Sequence, residues 1–444
     1  MASSLTKQAL TLTLANAYTR ALGFVLRLLS ARLMGAEAMG VMELSSSAIM
    51  LAITPATAGI PTAMSRLTAQ PGADEKAVLR AGLSLVKRLS LMLIPAMLLL
   101  SPAMAWLLGD WRTLPSILTS APAILLLGLC AVYSGWFCGR EDMRTPALNE
   151  CAEQTVRCLL SAGLLLWLAG RSVALTAALP GVAEIVAGVA VWRLFRRSAP
   201  ALARQRHDPQ LPGQILRLAA PITASRLCQT ALRTLNAVLL PACLRRSGLS
   251  QAAATAQFGL LNGMAMPLLM LPGIVTGAIC TVASPAVSRQ EHQPHRLRHT
   301  MHRLLLSGAG VGTAAAVLLF LAADFISTQL YTEAALAPLL RLMAPAALLT
   351  SLHQVQFGLI TGLGLQRRTL VITAATSVIT LVITALICPL PHVRLYGAGI
   401  ASLVSALIRV LWQQVLLHRA IHAECTSGVF HPQRTCETSS NMIE

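Results

Sequence analysis

Residues 9–31 read ALTLTLANAYTRALGFVLRLLSA, and the only charges among them are Arg20 and Arg27. About 20 largely apolar residues are enough for a helix to cross the hydrocarbon of a bilayer. The same reading, carried along the chain, gives twelve candidate spans: 9–31, 41–65, 82–108, 115–138, 146–169, 173–195, 214–241, 253–287, 301–323, 336–362, 369–389 and 396–418. Composition agrees. Of 444 residues, 55% are hydrophobic and 12% charged, against about 25% charged in an ordinary soluble domain. So little polar surface could not cover a soluble core of this length, and a disordered chain would be poor in apolar residues. The expected fold class is all-α, a polytopic membrane protein.

The net charge of +18 does not point to nucleic acid, because aromatic residues make up only 4% of the chain and cannot supply stacking platforms. The cations lie between the apolar runs instead. Even-numbered connections hold Arg66, Lys76, Arg80, Lys87 and Arg88, then Arg140 and Arg144, then Arg196, Arg197, Arg204 and Arg206. Arg289, Arg296, Arg298 and Arg303 follow, and then Arg367 and Arg368. Odd-numbered connections hold only Arg32, Arg112, Arg171, Arg245, Arg246 and Arg394. Positive charge is retained on the cytoplasmic side, so both termini are expected inside the cell and the chain in the cytoplasmic membrane. Arg20 and Arg27 interrupt the uncharged run that a signal peptide needs, which makes the first segment a retained span. Ala36-Glu37-Ala38 reads as a loop. The ten cysteines show neither a CxxC nor a Cys/His metal spacing, so neither disulfides nor a metal are expected.

Residues 198–212, with Pro200, Pro209 and Pro212, divide six spans from six. The expected organisation is an N-terminal six-helix bundle at 1–197, this linker, a C-terminal bundle at 213–420 and a polar cytoplasmic tail at 421–444. The halves share signatures. Thr19-Arg20 with Arg27 in span one matches Ser225-Arg226 with Arg233 in span seven, both [ST]-R-x6-R. Ala63-Met64-Ser65-Arg66 closes span two as Ala286-Val287-Ser288-Arg289 closes span eight. Such repetition suggests two bundles related by a pseudo-two-fold axis along the membrane normal, a common transporter plan.

An arginine within a span is costly unless it faces a cavity or a partner. Arg20 and Arg27 are two helical turns apart and share a face; Arg226 and Arg233 repeat the arrangement. Guanidinium groups bind phosphate oxygens in bidentate fashion, so these four are the candidate substrate-binding residues, with pairing to intramembrane carboxylates or snorkelling as the plainer reading. Glu43, Glu150, Glu153 and Glu184 are the candidates for ion coupling or ion pairing. Glu150, Glu153 and Arg157 fall on one helical face, where an internal ion-pair ladder is the plainer reading. Pro267, Pro272 and Gly273 mark span eight as a candidate hinge. His353, Gln354 and Gln356 on span ten read as inter-helix hydrogen-bonding groups. Phosphate-binding loops, nucleophile elbows and zinc-protease motifs are missing from the sequence. No connection on the outer side is long enough for the carboxylate-bearing loop of a membrane glycosyltransferase. No enzyme and no cofactor are expected.

Six stretches together resemble one known family. They are TRALGFVLRLLSARLMGAEAMGV (19–41), AGIPTAMSRLTA (58–69), GWFCGREDMRTPALNECAEQTVR (135–157), LAAPITASRLCQT (218–230), QFGLLNGMAMPLLMLPGIVTGAICTVASPAVSR (257–289) and YGAGIASLVS (396–405). They are similar to stage V sporulation protein B and related oligosaccharide flippases of the multidrug/oligosaccharidyl-lipid/polysaccharide (MOP) superfamily. The resemblance implies two six-helix bundles around a cationic cleft, a MATE-like fold. It also implies export of a polyprenyl-pyrophosphate-linked saccharide in a spore-forming bacterium, with Arg20, Arg27, Arg226 and Arg233 at the positions of the family's cleft arginines. The chain departs from the longer members in lacking two further helices after about residue 420, and Asn236 stands where relatives often carry an acid. The expectation is therefore a monomeric flippase for an anionic lipid-linked oligosaccharide or peptidoglycan precursor, its partners that substrate and membrane lipids. The alternatives are a cation-coupled MATE-type drug exporter and a non-transporting assembly factor of the spore envelope.

Overall fold

The computed structural model describes residues 2–168, 172–200, 210–289 and 294–427. Among these residues the regular structure is entirely helical. The elements are α1 (Ala2–Thr57), α2 (Ile60–Thr68), α3 (Glu75–Leu108), α4 (Leu114–Ser120), α5 (Ala123–Gly139), α6 (Arg144–Trp167), α7 (Val173–Ser198) and α8 (Leu211–Arg246). They continue as α9 (Gln251–Phe258), a π-helical segment (Gly259–Ala265), α10 (Met266–Leu269), α11 (Gly273–Arg289) and α12 (Pro294–Leu321). After these come α13 (Ala323–Phe325), a second π segment (Ile326–Leu330), α14 (Leu336–Gly362), α15 (Gln366–Ile387) and α16 (Arg394–Ser427). The linker expected at 198–212 falls largely on 201–209, and the tail expected at 421–444 largely on 428–444, both outside the described residues.

A straight helix of 56 residues, the length of α1, would run about 84 Å, more than two hydrocarbon thicknesses. It does not run straight. Gly35 has φ 74° and ψ 174°, a conformation open to glycine at no steric cost, and there the helix turns back to make the first two spans. This corrects the loop expected at Ala36-Glu37-Ala38, since all three residues are helical. One glycine suffices because the orphan N–H of Ala36, which opens the returning arm, donates to Glu333 Oε1 at 3.2 Å. The cap comes from 297 residues away.

Eight described helices are long and apolar enough to cross a membrane, or ten when two bent pairs each count as one span. The folded α1 supplies two spans rather than one. α6, which carries Glu150, Glu153 and Arg157, is not among these. One bent pair, Trp111–Ser120 with Ala123–Gly139, turns by 46° next to Pro122, which has no N–H to continue the ladder. The other, Gln251–Leu269 with Gly273–Cys280, turns by 51°. Large apolar side chains stand far out of the protein, Leu99 at 82% and Trp167 at 79% exposure among them. In water that would be a large exposed apolar surface, but against acyl chains it is at home.

Contacts divide the chain into two units. The first comprises Met1–Leu268, Ala322–Leu340 and Leu381–Gly399, and the second Leu269–Leu321, Arg341–Thr380 and Ile400–Glu444. The core of the first includes Met64, Leu79, Trp136, Phe195 and Ile215, contributed by α2, α3, α5, α7 and α8. Tyr133 stacks on Phe195 with centroids 5.7 Å apart. The core of the second includes Ala283, Leu297, Val355, Leu359 and Leu416. His353, Gln354 and Gln356 of α14 bond to neighbouring helices there. His353 Nδ1 lies 2.8 Å from Gln413 Oε1, Gln354 Oε1 accepts from Thr276 Oγ1 at 2.8 Å, and Gln356 Nε2 donates to Gln414 Oε1 at 3.0 Å.

Candidate functional site

All four candidate arginines and all four candidate glutamates belong to the first unit. Arg27 lies opposite Glu43 across the Gly35 turn, and its Nη2 pairs with Glu43 Oε1. Glu43, Ser47 and Thr54 follow at i, i+4 and i+11, one face of the returning arm. That face meets α8. Thr234 Oγ1 donates to the Ser47 carbonyl at 3.0 Å, Thr230 Oγ1 lies 3.4 Å from Thr54 Oγ1, and a Cβ on Gly59 would stand 2.3 Å from the Ala219 carbonyl. Residue numbers rise on one side of this seam as they fall on the other, so the helices are antiparallel.

Thr230 shares its face of α8 with Arg226 and Arg233, four residues before it and three after. The arginines therefore flank the seam that Glu43 continues. The seam also fixes their depth. Its register sets Arg233 near the level of residue 48 and Arg226 near residue 55; the Gly35 turn sets Arg20 near residue 50 and Arg27 at Glu43. The cations thus form three levels about 10 Å apart, since seven residues rise about 10 Å. Arg226 is nearest the Arg66 end, Arg20 and Arg233 are midway, and Arg27 is nearest the Gly35 turn. Arg20, Arg226 and Arg233 are exposed, and Arg27 and Glu43 are partly buried.

The other carboxylates gather elsewhere in the unit. Arg157 Nη1 lies 2.6 Å from Glu184 Oε2 and 4.0 Å from Glu153 Oε1, and its Nη2 donates to Gln154 Oε1. One guanidinium thus serves two carboxylates. Glu150 is exposed, and no ion pair joins it among the described residues. α6 is held beside the first arm of α1 by Tyr18 Oη, 2.8 Å from Thr155 Oγ1. The span-eight residues fall at an interruption. Pro267 lies in the single turn α10 just after the π segment, and Pro272 and Gly273 sit where the helix bends. The π segment faces the site, because a Cβ on Gly263 would stand 3.7 Å from Glu43 Cγ. π segments recur at functional sites.

A second polar cluster, with no signature in the spacing of its residues, lies near the Gly35 turn. Arg112 Nη2 lies 2.8 Å from Asp110 Oδ2, its Nη1 pairs with Glu37 Oε1, and Thr255 Oγ1 donates to Asp110 Oδ2 at 3.2 Å. Burial pushes the Asp110 carboxyl up. The Arg112 hydrogen bonds and charge, with the Thr255 hydroxyl, outweigh that and hold it below its ordinary range. Backbones nearly touch beside this cluster: a Cβ on Gly40 would stand 2.0 Å from the Thr255 carbonyl, and one on Gly259 2.0 Å from that of Ala36. Tyr331 is wholly buried. These residues come from connections far apart in the chain, which no spacing rule links.

Residues 5–291 match the model of the family described as polysaccharide biosynthesis protein. Stage V sporulation protein B of Bacillus subtilis (strain 168) is 31% identical over 365 residues, covering 77% of this chain and 70% of that protein. The chain belongs to the polysaccharide biosynthesis protein family. Sporulation protein YkvU of the same organism is 21% identical over 64% of this chain and 65% of its own length. Among solved structures, an inward-facing MATE multidrug resistance transporter of the MOP superfamily superposes with TM-score 0.71 at 17% identity, covering 92% of this chain and 96% of that one. A MOP superfamily transporter from Pyrococcus furiosus superposes at 0.62 with 16% identity, covering 93% and 96%. The fold is that of the MATE transporters. Family and fold together make the chain a multi-pass membrane protein of the polysaccharide biosynthesis protein family with a MATE-like fold.

Proposed function

We propose that this chain moves an anionic polyprenyl-pyrophosphate-linked oligosaccharide or peptidoglycan precursor across the cytoplasmic membrane by alternating access. One observation carries the reading. Four intramembrane arginines stand at three depths beside a single helix seam, and among the described residues the one carboxylate on that seam is Glu43. Arginine in hydrocarbon is costly, and stepped guanidiniums offer a pyrophosphate successive bidentate holds. Arg20, Arg27, Arg226 and Arg233 bind the headgroup in this reading. Glu43 holds Arg27 in its absence. Glu153 and Glu184, sharing Arg157, are the ion-coupling group, with Glu150 at its edge. Pro267, Pro272 and Gly273 provide the flexible point of span eight.

In the same reading both termini are cytoplasmic and residues 1–197 and 213–420 are the two bundles. The protein acts as a monomer without a cofactor and serves in building the spore envelope, a role supported by the name of its sporulation relative. A cation-coupled drug exporter would want acids and aromatics along the seam, where this chain has arginines. Mass spectrometry of lipids that co-purify with the full chain is the test. A polyprenyl-pyrophosphate saccharide retained by the native protein and lost from Arg27→Ala supports the proposal. Its absence from native protein, with only phospholipid recovered, contradicts it.

A further inference from the structure

The connection between α12 and α14 packs with one unit while the chain on either side of it belongs to the other. Ala322–Leu340 clusters with the first unit, whereas Leu269–Leu321 before it and Arg341–Thr380 after it belong to the second. A shift of the second unit would therefore pull on this strap from both ends. One hold on the first unit is Glu333, whose Oε1 accepts the Ala36 N–H at 3.2 Å. A helix N-terminus is ordinarily capped by its own Ser, Thr, Asp or Asn. Gly35 has no side chain to serve, so the returning arm of α1 takes its cap from a separate segment, and such a cap can be withdrawn.

The bound strap is tightly folded. The Tyr331 N–H donates to the Ile326 carbonyl at 3.0 Å and the Glu333 N–H to the Ser327 carbonyl at 2.9 Å. Two features of this form are unfavourable. Thr332 has φ 57°, in the left-handed region where a β-branched side chain is strained and glycine is not. Tyr331 is 0% exposed, and its hydroxyl has no hydrogen-bond partner among the described residues, so it forfeits the bonds that water would give it. Strain of this kind persists where surrounding contacts impose it, and it clusters at clamps and switches. The place is also telling: Arg27 and Glu43 pair eight residues before and eight after Gly35, so the strap holds the turn at which the arginine series ends.

We propose that residues 326–333 are a releasable strap: Glu333 caps Ala36 while the Gly35 end of the protein is closed, and it withdraws when that end opens to release substrate. The proposal rests on the alternating-access reading given above and adds the device that holds one end shut.

The experiment is hydrogen–deuterium exchange read by mass spectrometry on the full chain in detergent, native, Thr332→Gly and Glu333→Ala, with no ligand added. Protected amides exchange according to how often their segment opens. Glu333→Ala removes a hydrogen bond to a charged group and should speed exchange at 36–40 about tenfold or more. Thr332→Gly relieves strain in the closed form and should slow exchange there about threefold or more. Residues 65–69, at the Arg66 end, should move in the reverse sense in each variant, because alternating access opens one end as it closes the other. Mere loss of a helix cap would leave 65–69 unchanged. If Thr332→Gly exchanges like the native chain at 36–40, or leaves 65–69 unmoved, the strap is a static brace and the proposal is overturned. Should Glu333→Ala fail to fold, Thr332→Gly decides alone. Paired shifts in a chain that retains no polyprenyl-pyrophosphate saccharide uphold the strap and defeat the headgroup reading. Retention of the saccharide without paired shifts defeats the strap alone.

Discussion

Removing Arg157 is a sharp test of how the embedded charges are balanced. Its guanidinium lies 2.6 Å from one oxygen of Glu184 and 4.0 Å from one of Glu153, and the three side chains are only 31%, 21% and 19% exposed. Arg157→Ala strands two carboxylates that have no other cation in an ion pair among the described residues. Breaking a buried pair by deleting one partner costs about 3–5 kcal/mol. Partial exposure of the three side chains moves the expectation to the lower end, about 3 kcal/mol. The measurement is reversible denaturant unfolding in mixed micelles. Adding Glu184→Gln to Arg157→Ala removes one stranded charge and should recover more than half of the loss, a coupling that a double-mutant cycle reads directly. A cost below about 1 kcal/mol for Arg157→Ala, or no recovery in the double variant, would refute the claim that this guanidinium holds both acids.

Three further outcomes follow from the same geometry. Asp110 is held below its ordinary range in the folded protein, so its contribution is present above about pH 4 and lost as pH falls through the lowered folded value. Tm measured between pH 5 and pH 2 should fall less steeply for Asp110→Asn than for the native chain. Gly259→Val should cost about 3 kcal/mol or more, or abolish membrane insertion, since even a Cβ would lie 2.0 Å from the Ala36 carbonyl; micellar unfolding and yield check it. The proposed cytoplasmic placement of both termini predicts that reporter fusions at Gly72 give active fluorescent protein and fusions at Gly248 active alkaline phosphatase.

Much of the fold is legible in sequence because the bilayer demands long apolar helices. Turn chemistry is less legible. Ala36-Glu37-Ala38 looks like a loop by composition, but Gly35 alone makes the turn and Glu333 supplies the cap from across the chain. The bend at Pro122 passes unnoticed because an apolar run surrounds it. Spacing finds Arg20, Arg27, Arg226 and Arg233, since seven residues return to one helical face. It does not say which carboxylate meets which arginine; the fold puts Glu43 on Arg27 and Glu184 on Arg157. Tyr331 and Asp110 lie in short connections with no periodicity, so only the folded chain reveals their neighbours.

The central claim is tested most directly in proteoliposomes loaded with a lipid-linked oligosaccharide, comparing the native chain with Arg20→Ala/Arg226→Ala. The account predicts that the double variant inserts and unfolds like the native protein but translocates no sugar lipid. Native rates of translocation in that variant would contradict it.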